Sequence, residues 1–132
     1  MALFDTFYLF SEVKGTVLNN GQPVQGARVE QHFDWAWKNR QGVAEVLTDA
    51  RGEFSFSSIT DSSILASLLP HEPVIVQKIL IHHHEKSYDA WLFVKHNYDE
   101  NGELAGTPIK MTCNLEDPPV GRNDIYGICT LE

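Results

Sequence analysis

The residues that most constrain what this chain can fold into are Val13-Lys14-Gly15-Thr16-Val17-Leu18-Asn19-Asn20-Gly21-Gln22-Pro23-Val24-Gln25-Gly26-Ala27-Arg28-Val29. They spell strand, turn, strand. Val13 and Val17 flank a small residue, with β-branched Thr16 between them, a composition suited to a pleated, half-buried surface. Asn20-Gly21 supplies the positive φ angles that a tight turn requires. Pro23 fixes its own φ and has no N–H for a ladder, so it belongs before the next strand or at its first residue. Val29 then resumes the alternation. A second stretch, Val46 to Phe56, repeats the plan: a strand, a turn over Asp49 to Gly52, and a strand with Phe54 and Phe56 on one face.

The order Gly-x-Val, then Gly-x-Pro-Val-x-Gly-Ala-x-Val, then Thr-Asp-x-x-Gly-x-Phe-x-Phe resembles the carboxypeptidase regulatory-like domains, which are small transthyretin-like β-sandwiches. Gly15, Val17, Gly21, Pro23, Val24, Gly26, Ala27, Val29, Thr48, Asp49, Gly52, Phe54 and Phe56 carry the resemblance, between residues 13 and 57. It implies a sandwich and a structural or interaction role, and it transfers no reaction. Transthyretin-like hydrolases of ureide substrates carry a C-terminal Tyr-Arg-Gly-Ser signature. Here Tyr126 is followed by Gly127-Ile128-Cys129, so that activity is not implied.

The expected fold is all-β: one domain over residues 1–132, a transthyretin-like or immunoglobulin-like antiparallel β-sandwich of about seven to eight strands with one short helix. The expected strands are 13–33 (two strands about the first turn), 42–48, 52–57, 74–84, 88–95, 109–113 and 125–131. The lead-in Met1 to Phe10 is apolar, lacks a basic start and is interrupted by Asp5, so it reads as a first or edge-covering strand and not as a signal peptide. Ile64, Leu65, Leu68 and Leu69 fall at helical spacing, with Thr60 or Asp61 as cap and Pro70 as stop.

Eighteen acidic against ten basic residues give a net charge of −8. That balance opposes nucleic-acid backbones and anionic membrane surfaces and favours a basic protein partner. The location expected from these features is cytoplasmic, and the assembly monomer or homodimer. Cys113 and Cys129 sit among strand-like residues; they read first as two buried thiols, with a disulfide across two late strands as the alternative.

His82 and His84, two apart on a strand, point to one face and are the candidate metal ligands. A three-residue loop at Glu85 to Ser87 would set His84 opposite Tyr88 and His82 opposite Ala90. His96 would then lie opposite Val76, about 20 Å from His82 at about 3.3 Å per residue. A third ligand is thus not evident, and no cofactor is expected. No Gly-x-Ser-x-Gly elbow or glycine-rich phosphate loop is present. Phe33, Trp35 and Trp37 alternate, so on a strand they share a face, either as core or as a binding patch. With Asp34 and the acidic loop residues Asp99 and Glu100, they form the expected partner-binding set. The function expected is that of a non-enzymatic protein-binding module, such as an inhibitor or immunity-type protein. The alternatives are a component of a larger secretion or surface assembly and a metal-binding protein.

Overall fold

The structure is a computed structural model and describes residues 6–132; what was expected of residues 1–5 lies outside them. In chain order the strands are β1 (Phe7–Phe10), β2 (Val13–Asn19), β3 (Gln22–Pro23), β4 (Arg28–Trp35), β5 (Arg40–Leu47), β6 (Glu53–Phe56) and β7 (Ile59–Asp61). Helix α1 (Ile64–Leu68) comes next, then β8 (Ile75–His83), β9 (Lys86–Lys95), β10 (Ile109–Asn114), β11 (Val120–Arg122), β12 (Ile125–Gly127) and β13 (Cys129–Leu131).

A six-stranded sheet runs β11-β12-β9-β8-β4-β5. A second sheet runs β13-β10-β2-β3, with β6 also on β2, and β1 pairs with β7. The inner faces alternate as a half-buried sheet should. From the large sheet β4 buries Val29, Gln31, Phe33 and Trp35, and β8 buries Ile75, Gln77, Ile79 and Ile81. The second sheet answers with Val13, Val17, Phe54, Phe56, Ile109 and Met111, and all the apolar members belong to one core.

The first turn forms as its residues dictate: Asn20 and Gly21 have φ 53° and 78°, and Leu18 faces Pro23. Pro23 is the second residue of a two-residue edge strand, where its missing N–H costs nothing. At the second turn Asp49 Oδ1 accepts the N–H groups of Arg51 and Glu53, each at 2.9 Å. Gly52 closes that turn at φ 76°, and a side chain there would run into the Val17 carbonyl. Gly42 serves another purpose. The Phe33 ring crosses the strand pair and lies where a Gly42 side chain would be, 2.5 Å from its Cβ position.

Several expectations need correction. The strands number thirteen among the described residues, because short strands β3, β7 and β11 join and the last segment divides into β12 and β13. The sandwich is not wholly antiparallel, since β2 and β10 run parallel from Val13↔Ile109 to Leu18↔Asn114. The β8–β9 turn is tighter than three residues: His84 and Glu85 take φ 49° and 62°, and His83 faces Lys86. His82 is therefore opposite Ser87 and not Ala90. The cysteines are not separate thiols. Cys113 and Cys129 face each other across β10 and β13 with Cα atoms 4.0 Å apart, and they are disulfide-bonded.

Beneath β1 lies a polar network that the loop at 97–103, read as a solvated acidic turn, gave no sign of. Lys95 and Glu103 have fully buried side chains 3.4 Å apart. Lys95 Nζ also donates to the carbonyls of Tyr8 (2.8 Å) and Asp99 (2.7 Å). Glu103 accepts from the Ser11 N–H, the Ser11 hydroxyl and Gln77 Nε2, at 2.9, 2.7 and 2.8 Å. Gln77 in turn accepts the Trp91 indole N–H at 3.1 Å. Burial pulls the Lys95 ammonium below its ordinary range, and the Glu103 carboxylate works against that pull.

Two stability predictions arise from these features. Glu103→Leu leaves the Lys95 charge uncompensated in the interior and is expected to cost about 3–5 kcal/mol in urea denaturation. Reducing the disulfide, which closes a 16-residue separation, is expected to lower stability by about 3 kcal/mol in the same measurement with and without reductant.

Candidate functional site

The short helix is built to lie close to the core. Ser63 caps it, its hydroxyl accepting the Ala66 N–H at 3.1 Å, and Pro70 holds Leu69 in extended backbone so that the helix ends. The cap is thus Ser63; Thr60 and Asp61, the expected caps, sit in β7. The residues that face inward are the small pair Ala66 and Ser67. The apolar stripe lies on the other side: Ile64, Leu65, Leu68 and Leu69 are 47–63% exposed. Each forgoes roughly half of the 1.5–3 kcal/mol that full burial would yield.

Next to this stripe a groove of about 690 Å³ runs between α1 and residues 96–99, lined by Phe7, Leu68, Leu69, His71, Tyr98 and Asp99 among others. Its floor is an aromatic stack. Tyr98 lies on Phe7 with ring centres 4.4 Å apart, and Trp37, outside the groove lining, backs His71 at 4.0 Å. The polar atoms of its two rings, His71 and Tyr98, are matched to each other. His71 Nδ1–H donates to the Leu69 carbonyl at 2.9 Å. In the neutral ring Nε2 therefore accepts the Tyr98 hydroxyl, 2.7 Å away. The Tyr98 oxygen accepts the Trp35 indole N–H at 2.9 Å. Burial raises the Tyr98 phenol above its ordinary range, against the pull of that N–H, so it stays a neutral donor. The arrangement holds a rigid, largely apolar wall.

The six residues expected to bind a partner do not form one surface. Phe33 and Trp35 are core, because they alternate with outward Asp34 on β4. Asp34 lies on the outer sheet face, where Gln41 Nε2 donates to it at 3.3 Å. Trp37 has left the strand for a short 3-10 turn and is half-buried against His71. Asp99 and Glu100 are exposed, and Asp99 lines the groove. Glu72, also exposed, stands 3.5 Å from His96. The charges nearest α1 are otherwise paired: Arg40 bonds Asp61 at 2.6 Å, with Lys38 at 3.5 Å. Sequence reasoning missed His71, Tyr98 and the outward direction of the α1 stripe. The one signal was His71 held in Pro70-His71-Glu72-Pro73, which pins a single ring between two rigid residues.

The candidate metal ligands do not converge. His82 is engaged on both sides, with Nε2–H donating to Glu30 at 2.6 Å and Nδ1 bonded to Ser87 at 2.7 Å. His84 sits in the turn and stacks on His83 at 3.8 Å. No group of three His, Cys, Asp or Glu side chains able to hold a metal ion occurs among the described residues. No helix among them is long and apolar enough to cross a membrane.

Two carboxyls couple stability to pH. The His82 hydrogen bond holds Glu30 below its ordinary 4.5, aided by the charges of His82, Arg28 and His32 and opposed by burial. Burial works to raise Asp61, but the Arg40 bond, the Ser62 N–H and the Lys38 charge outweigh it and leave it below 3.8. Folded values that are depressed stabilise the fold above the ordinary pKa and lose that contribution as pH falls through them. The melting temperature is therefore expected to drop between about pH 5 and pH 2. Glu30→Gln should melt lower than the parent at neutral pH and converge with it in acid, as followed by circular dichroism.

Comparison with known proteins adds one match. The family model described as a domain of unknown function, DUF6795, matches residues 13–118. No curated protein and no solved structure matches the chain.

Proposed function

The chain belongs to the DUF6795 family, and we propose that it is a non-enzymatic protein-binding module, acting as an inhibitor or immunity-type protein on a basic partner. The observation that carries this reading is the solvent-facing apolar stripe of α1 beside an aromatic groove. A stripe of four large apolar side chains on a five-residue helix and its C-cap is what an interface leaves bare in the unbound protein. Asp99 in the groove and Glu72 beside His96, together with the net charge of −8, suit a partner that surrounds an apolar anchor with Lys or Arg. Two of the groove's titratable groups, His71 and Tyr98, support binding over catalysis, since they satisfy Leu69, Trp35 and each other.

Kinship with carboxypeptidase regulatory-like domains is part of this reading and rests on the two turn motifs at 20–26 and 48–56. The compartment is argued from the cysteines. The bonded pair suits an oxidising compartment, and a cytoplasmic role requires that the reduced protein also stay folded. An assembly role is favoured by one separate observation, the open edge of β5.

The test is a paired substitution on the helix. Leu65→Asp with Leu68→Asp is expected to weaken capture of the basic partner more than tenfold in a quantitative pull-down, with an unchanged melting temperature because both side chains are exposed. Thr112→Asp, on the other sheet, should leave capture intact. Equal capture by all three proteins would end the proposal for this surface.

A further inference from the structure

We infer that β5 is the seam of a symmetric dimer in which two copies of this chain join their large sheets edge to edge. β5 ends the six-stranded sheet. All eight of its residues pair with β4 in continuous register on one side. Thr48 N–H donates inward to the Ala27 carbonyl. The two-residue repeat of a strand then turns the N–H and C=O groups of Gln41, Val43, Glu45 and Leu47 outward, where no strand among the described residues meets them.

Monomeric sheets protect such an edge with short strands, Pro, Lys, bulges or cover. Three other edge strands show those devices: β3 has two residues and contains Pro23, β13 has three, and β11 has three and is preceded by Pro118-Pro119. β5 has fewer of them: no strand among the described residues covers it, and its charged side chains are Arg40 and Glu45 alone. It is eight residues long, contains no Pro or Lys and has no bulge. Its single cation, Arg40, is held by Asp61. Val43 and Leu47 are each 65% exposed on it.

A second copy fits this edge by charge and register. A two-fold axis normal to the sheet pairs residues of the same face, so it must pass through a residue. Through Val43 it stacks the two valines, sets Gln41 opposite Glu45 of the other copy and sets Arg40 opposite Val46, with no like charges facing. It also pairs the outward backbone groups, forming about six new hydrogen bonds. Through Glu45 it would bring two carboxylates face to face, which is unfavourable. Through Ala44 it would separate the valines and set each against Glu45. Two copies of charge −8 repel at long range, so dimerisation should strengthen as salt is added. The seam uses none of the α1 residues on which the partner-binding reading depends.

The experiment uses the full chain in sedimentation equilibrium from about 1 μM to about 1 mM, with the disulfide intact. The parent should show a monomer–dimer equilibrium that tightens with salt, and Val43→Lys should weaken it at least tenfold without lowering the melting temperature. Because both native cysteines are bonded to each other, Val43→Cys introduces the single free thiol. Mild oxidation should cross-link it into a covalent dimer far faster than Ser55→Cys on β6. A parent that stays monomeric throughout overturns the inference. So does a dimer that survives Val43→Lys, or cross-linking no faster at residue 43 than at residue 55.

Discussion

Glu103 and Lys95 bring a carboxylate and an ammonium to within 3.4 Å of each other in a place that neither shares with solvent. Removing two such charges from water is costly, and the arrangement persists because nearly every lone pair and proton has a partner. Those partners come from four parts of the chain: β1 through Tyr8 and Leu9, the adjoining Ser11, β8 through Gln77, and the loop at 97–103. A sheet of hydrophobic residues could pack in more than one register at similar energy. This network tolerates only one, since a slip strands a charge. It fixes β1 over the large sheet, and β1 carries Phe7 to the floor of the groove. Binding surface and buried ion pair are thus mechanically continuous.

The same logic explains why the helix faces as it does. α1 is only five residues long and sits between β7 and the Pro70–Pro73 connector. It approaches the core through Ala66 and Ser67, whose small size lets the backbone come near, and its leucines are directed away as a consequence. The groove wall opposite is made rigid by a chain of hydrogen bonds from Leu69 through His71 and Tyr98 to Trp35. Rigid aromatic walls lose little entropy when a partner settles on them.

What the sequence disclosed and what it hid divide along one physical line. The turns at Asn20-Gly21 and Asp49 to Gly52 were legible because turn chemistry is local. The strand expected over 74–84, found as Ile75–His83, was legible because its β-branched run is long. Periodicity found the stripe Ile64, Leu65, Leu68, Leu69 but carries no sign that tells core from solvent; only the neighbouring small residues hinted at it. Trp35 and Trp37 looked equivalent until the chain left the strand between them. The Cys113–Cys129 pair depends on β13 meeting β10, a register no local pattern specifies. Glu103 was beyond reach, because its hydrogen-bond partner Ser11 lies 92 residues away.

The loop from Asn97 to Glu103 matters to anyone who would alter this protein. Polar, glycine-containing and studded with acids, it has the look of a place to splice in a tag or an epitope. Yet Asp99 supplies a carbonyl to Lys95, and Asn101 donates its N–H to the Ser11 hydroxyl at 2.8 Å. Lengthening it would withdraw the counter-ion from beneath β1. The tip between β11 and β12, where Asn123 and Asp124 stand exposed, carries no such anchor and offers the safer point of attachment.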